Sequence, residues 1–212
     1  MIGLAGCSST ATSTNAGAPR PADPSEPRPQ VERLIDRQAA ARAPRTGEVY
    51  LMRGLMDVFS RGIDEMAAKI NRAGVYALNT SYTNWQPLAD EIIAREKRGE
   101  VSHPVIIVGH SLGANDASKM ATYLGARGVK VAYVVGFDPT EPGYLGKNVD
   151  KVVNYYLPNG DNRMYKTSGF KGTLQNVSVT DIDGISHTTI EKNPTLQNRV
   201  IGRIVGMTRK KK

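Results

Sequence analysis

What the chain lacks narrows its class first. One cysteine in 212 residues rules out an internal disulfide framework. No apolar run reaches the roughly 18 residues that a membrane-spanning helix requires. Aromatic residues make up only 6% of the chain, and no recognition motif accompanies the excess of 28 Lys and Arg over 20 Asp and Glu, so nucleic-acid binding has little support. Histidine, cysteine and carboxylate residues nowhere fall in a metal-ligand spacing, and no phosphate loop or dinucleotide fingerprint occurs, so neither metal nor cofactor is expected. Only three histidines are present, which leaves few candidates for acid–base chemistry near neutral pH.

Three segments of different composition follow one another. Residues 1–44 are expected to be a leader and tether: Ser8 to Ala18 is rich in Ser, Thr and Ala, and five prolines then recur between Pro19 and Pro29. Such a stretch cannot bury enough apolar area to order itself. A short helix is expected over Gln30 to Arg42. Residues 45–208 read as one domain, and Arg209, Lys210, Lys211 and Lys212 as a solvated basic tail.

Within the domain, strand and helix patterns alternate, the signature of βαβ units on a mostly parallel sheet. Strands are predicted at Val49 to Arg53, Val75 to Leu78, Val105 to Val108, Val129 to Val135, Val152 to Leu157, and around Val177 and Val179. Helical spacing joins Ile63, Met66, Ala67 and Ile70, then Leu88, Ile92 and Ile93, then Ala114, Ala117, Met120, Ala121 and Leu124, and finally Leu196, Val200, Ile204 and Val205. The expected fold class is therefore α/β, about six strands with helices on both faces.

Gly109-His110-Ser111-Leu112-Gly113 stands between the most β-branched run and a helix pattern. A sharp strand-to-helix turn there would present the Ser111 hydroxyl above the sheet, next to a helix amino terminus. A neutral hydroxyl needs a base, and histidine has the suitable pKa. His103 begins a strand, at the wrong end of the sheet, and His110 lies inside the turn. His187, after the last strand, is the expected base. For the orienting acid two positions stay open: Asp138, ending a strand and entering Pro139, and Asp161, in the turn Asn159-Gly160-Asp161-Asn162. Asp181 and Asp183 are expected to serve the histidine loop itself.

Two resemblances add to this reading. Leu4-Ala5-Gly6-Cys7 resembles the lipobox of bacterial lipoproteins, which implies lipidation and membrane anchoring at Cys7. The implied location is the cell envelope, facing the periplasm, if a signal peptide stands upstream, and the cytoplasm otherwise. From Glu48 to Met207 the chain resembles α/β-hydrolases of the lipase, esterase and thioesterase group, through Arg53-Gly54-Leu55, GHSLG at 109–113, and GFDPTEPG at 136–143. The last is similar to the segment carrying the acid in animal-type lipases, which implies Asp138; Asp161 matches the acid position of most other members. His187-Thr188-Thr189-Ile190 resembles the histidine loop of the thioesterases. The resemblance further implies an oxyanion hole from the amides of Leu112 and Leu55, with Met56 as the alternative to Leu55. The first two strands of the full fold and a cap domain have no counterpart, so the expected form is a minimal, open hydrolase acting on a small-molecule or lipid-like acyl substrate. An acyltransferase or peptidase with the same three residues, and a non-catalytic envelope lipoprotein using the fold as a binding module, are the rival expectations.

Overall fold

The computed structural model describes residues 34–55 and 60–211. Cys7, the leader up to residue 33, and Met56 lie outside the described residues. Among the described residues, six strands form one sheet: β1 (Glu48–Arg53), β2 (Tyr76–Ser81), β3 (Val105–His110), β4 (Val131–Phe137), β6 (Lys151–Tyr156) and β8 (Thr173–Ser178), in the order β2-β1-β3-β4-β6-β8. Every neighbouring pair is parallel. Parallel neighbours require crossover connections: α2 (Arg61–Arg72), α3 (Trp85–Glu96) and α4 (Leu112–Ala126) supply the first three, residues 138–150 and 157–172 make the other two without an α-helix, and α5 (Pro194–Met207) closes the chain.

The period-two alternation of the strands divides the core between the two sheet faces. Tyr50, Met52, Ile107 and Val134 pack towards α3 and α4, meeting Leu88, Ile92, Met120 and Leu124. Val49, Leu51, Ile106, Val108 and Val135 pack the other way against Ile63, Met66 and Ile70 of α2 and Leu196, Val200 and Ile204 of α5. All six residues of β3 are buried, as a central strand covered on both faces demands. The apolar spacing of α2 and α5 is thus the part of each helix that faces the sheet. Asn193 starts α5 by accepting a hydrogen bond from the Leu196 amide at 3.1 Å, with Pro194 in the first turn.

Four details depart from the expected outline. The fourth strand runs to Phe137, two residues further than its apolar run, and delivers Asp138 directly off its carboxyl end. Two three-residue strands, β5 (Gly143–Leu145) and β7 (Met164–Lys166), pair in a separate small sheet; they are too short to carry a pattern. The predicted amino-terminal helix is described as α1 (Arg37–Arg42), capped by Asp36, and Ile35 and Ala40 join the core, so the folded unit reaches back beyond residue 45. The basic end is not a free tail through residue 211. Thr46 donates to the Arg209 carbonyl at 2.8 Å and Lys211 to that of Pro44 at 2.9 Å, while the Arg45 guanidinium holds the carbonyls of Val205 and Thr208.

At the amino end of the sheet a buried ion pair fixes β1 to α3. Arg95 reaches both carboxylate oxygens of Glu48, at 2.6 and 2.8 Å, and Tyr50 donates to the same carboxylate. The Ser102 amide also donates to Glu48, at 2.8 Å, and Arg95 to the Glu100 carbonyl, at 2.9 Å. Removing one partner would strand a charge out of water. Arg95→Met is therefore expected to cost about 3–5 kcal/mol in urea unfolding, whereas Arg98→Met, on an exposed pair with Glu100, should leave the transition unmoved. Equal effects of the two changes would mean that the buried pair contributes nothing special.

Candidate active site

Three residue types converge at the carboxyl end of the sheet because of where the strands stop. β3 ends at His110 and α4 begins at Leu112, leaving Ser111 alone to make the turn, at φ 56° and ψ −125°. A side chain on Gly109 would begin 2.0 Å from the Gly113 carbonyl oxygen, and one on Gly113 would begin 2.2 Å from that of Met52. Only glycine fits either position, and the backbone squeeze forces Ser111 into a region that L residues rarely adopt. The Ser111 amide donates to the Phe137 carbonyl at 2.9 Å, tying the turn to β4.

With the strand order and the fully parallel register, this strand–serine–helix turn decides the architecture. It is a minimal α/β-hydrolase fold. No protein-family model matches the chain, and no curated protein does. Among solved structures, the chain is similar to an alpha/beta-superfamily protein from Xanthomonas campestris pv. campestris, with 14% identity, a TM-score of 0.49, and coverage of 76% of this chain and 98% of the other. It is similar also to Est1E from Butyrivibrio proteoclasticus (10% identity, TM-score 0.47, coverage 77% and 89%) and to the RedJ thioesterase from Streptomyces coelicolor (10%, 0.45, 79% and 87%).

His187 sits on the loop between β8 and α5. Its Nε2 lies 3.0 Å from Ser111 Oγ, and its Nδ1 lies 2.7 Å from Asp138 Oδ2. A carboxylate can only accept, so Nδ1 carries the proton and the Nε2 lone pair faces the Ser111 hydroxyl. Asp138 is 1% exposed and anchored on its other oxygen, which accepts from the Leu157 amide and from Asn162 Nδ2, each at 2.9 Å. The hydrogen bond to Asp138 raises the His187 pKa above the usual 6.5, against the effect of burial. The attraction of Asp138 and of Glu191 adds to the rise.

The other expected participants fall as follows. Asp161 is half exposed and accepts the Tyr165 hydroxyl at 2.6 Å; its nearest cation is Arg163, at 3.9 Å. It borders the same small cavity as His187 without bonding to it. That cavity, of about 190 Å³, is walled by polar groups including Thr140, Asn159 and Asn162. His103 is exposed beside Glu96, at the opposite end of β3. Leu112 opens α4, where first-turn amides have no partner within the helix. Gly54 passes so close to the serine that a side chain on it would meet Ser111 Cβ at 2.8 Å, which sets Leu55 beside the site, 55% exposed. Among the described residues, no group of three or more His, Cys, Asp or Glu side chains is placed to hold a metal ion.

Three groups at the site were not legible in the chain. Asn162, in a stretch that reads as a plain turn, steadies Asp138. Ser60 accepts from the Gly54 amide and touches His110 Nδ1, both at 2.9 Å. Glu191 is fully buried and lies 3.8 Å from His110 Nε2, with the main chain of Gly62 and of Glu191 itself beside its carboxylate. No local pattern signals any of them, since each acts through an element distant in sequence.

His110 itself is buried and its pKa falls to about 4, chiefly because burial penalises the charged ring. The unfolded chain takes up that proton near 6.5, so the unfolded state binds more protons between the two values. Stability from this group is complete above 6.5 and is lost as pH falls towards 4, by roughly 3 kcal/mol. His187, with its raised pKa, works in the opposite sense but is common to any pair of variants compared. Urea titrations of the parent and of His110→Gln from pH 7 to pH 4 should show the difference in stability shifting in the variant's favour by about that amount. Parallel curves would contradict it.

Proposed function

We propose that this chain is a serine hydrolase of carboxylic esters or thioesters, in which Ser111 is the nucleophile, His187 the general base and Asp138 the orienting acid. The observation that carries the reading is the continuous line Ser111 Oγ, His187, Asp138, with separations of 3.0 and 2.7 Å. Ser111 attacks the acyl carbonyl as His187 Nε2 takes its proton; His187 then returns the proton to the leaving alcohol or thiol. The oxyanion accepts hydrogen bonds from the Leu112 amide and from that of Leu55, or of Met56 in its place. Water, deprotonated by the same histidine, frees the acid from Ser111. His187 is 38% exposed, so substrate reaches the site from solvent.

A fluorophosphonate probe should label Ser111, and Ser111→Ala should remove both labelling and the hydrolysis of graded p-nitrophenyl esters and acyl-CoAs. Asp138→Asn should lower turnover by about four orders of magnitude, because the amide NH₂ facing Nδ1 imposes the wrong imidazole tautomer. Asp161→Asn should be mild. In the parent, kcat/KM should fall as pH drops through the raised His187 pKa, above 6.5, and that limb should move down in Asp138→Asn. A larger loss from Asp161→Asn would transfer the acid's role.

A further inference from the structure

We propose that His110 is a positioning residue that ties the main chain at Gly54 to the main chain of His187 through one directed line of hydrogen bonds. The proposal rests on the hydrolase reading above and goes beyond it, because His110 touches neither the nucleophile's proton nor the acid.

The direction follows from what each atom can do. The His187 carbonyl only accepts, and His110 Nε2 lies 2.7 Å from it, so Nε2 carries hydrogen. The ring is neutral at working pH, which makes Nδ1 an acceptor. Ser60 Oγ, 2.9 Å from Nδ1, must then donate, and its lone pairs are left to accept the Gly54 amide at 2.9 Å. The line reads Gly54 N–H to Ser60 O–H to His110 to the His187 carbonyl, and every polar atom in it is used in one sense. A charged His110 would have no acceptor to offer the Ser60 hydroxyl.

Its ends explain its use. Gly54 abuts Ser111 and precedes Leu55, on the side assigned to the oxyanion, while the His187 carbonyl belongs to the residue that moves the proton. The line joins these two ends and so sets the spacing between them. Its surroundings are Glu191 and Lys192 from the turn before α5, His187 itself, and Asp138 from the end of β4. Glu191 is too far from Nε2, at 3.8 Å, to take its hydrogen from the carbonyl. The two histidine rings lie side by side, with centroids 5.1 Å apart and planes tilted by 38°.

Two measurements test this. The first is ¹⁵N NMR of the ring nitrogens in the full parent chain, which needs no variant to fold. His110 should show the neutral Nε2–H tautomer from pH 8 to pH 5. A Nδ1–H tautomer, or titration near 6.5, would overturn the line. The second is kinetic, with thermal unfolding as the check on folding. Ser60→Ala should lower kcat about ten-fold, as the loss of one buried hydrogen bond would, with KM changed less than about two-fold. His110→Gln keeps a donor for the His187 carbonyl but has no acceptor at the position of Nδ1, where Ser60 donates. Adding Ser60→Ala to it should cause no further loss, whereas losses that multiply, or that fall on KM, refute a shared line. Fluorophosphonate labelling separates the two readings: an unlabelled Ser111 in a parent with the expected His110 signal overturns the hydrolase reading and the positioning role with it. A labelled Ser111 with His110 titrating near 6.5 overturns the positioning role alone.

Discussion

The close approach of three stretches of backbone at the top of β3 is the constraint on which the site depends. The carbonyl of Gly113 lies where a side chain on Gly109 would begin, and the carbonyl of Met52 where one on Gly113 would. Helix α4 can therefore start almost directly above the sheet, with a single residue between strand and helix. That residue, Ser111, is held at positive φ, a conformation costing on the order of 1–3 kcal/mol. The strain persists because the fully buried β3 and the bond from the Ser111 amide to Phe137 leave the turn no alternative. Asp138, the next residue after Phe137, is brought to the same edge by the register of β4 against β3.

Buried charge is handled differently at the two ends of the sheet. At the amino end Glu48 and Arg95 neutralise one another and hold β1, α3 and the Ser102 strand entry together. At the carboxyl end the one cation paired with Asp138 among the described residues is His187 when protonated, and three donors stabilise its oxygens. His110, a few ångströms away, is kept neutral, while burial raises the Glu191 pKa. Of the two imidazoles only that of His187 turns a ring nitrogen to Ser111, because the two nitrogens of His110 are taken by Ser60 and by the His187 carbonyl.

The strands and helices were legible wherever burial on both faces or one face wrote a period into the chain. β3, α2 and α5 are the clearest cases: continuous apolar residues in the first, and Ile63, Met66, Ala67 and Ile70 or Leu196, Val200 and Ile204 in the helices. β8 was visible only through Val177, because its outer position leaves most of its side chains exposed. β5 and β7 carry no period in three residues each. The reach of the folded unit to Ile35 and Lys211 was hidden because it depends on main-chain pairing between the two ends of the domain, which side-chain composition does not record.

The sequence by itself determined the βαβ order and the glycine-flanked serine at a strand-to-helix turn, and it singled out His187 among three histidines as the expected base, because each follows from local spacing, elimination or the order of residues along the chain. Between Asp138 and Asp161 it left two carboxylates after two strands. Only the tertiary structure brought one of them within 2.7 Å of His187 Nδ1 and turned the other to Tyr165, since that choice depends on how far β4 extends and how the loop after β6 folds back. The same holds for Ser60, Asn162 and Glu191. Their surroundings are made by residues far away in the chain, and a hydrogen bond exists only when the fold sets its two ends within reach.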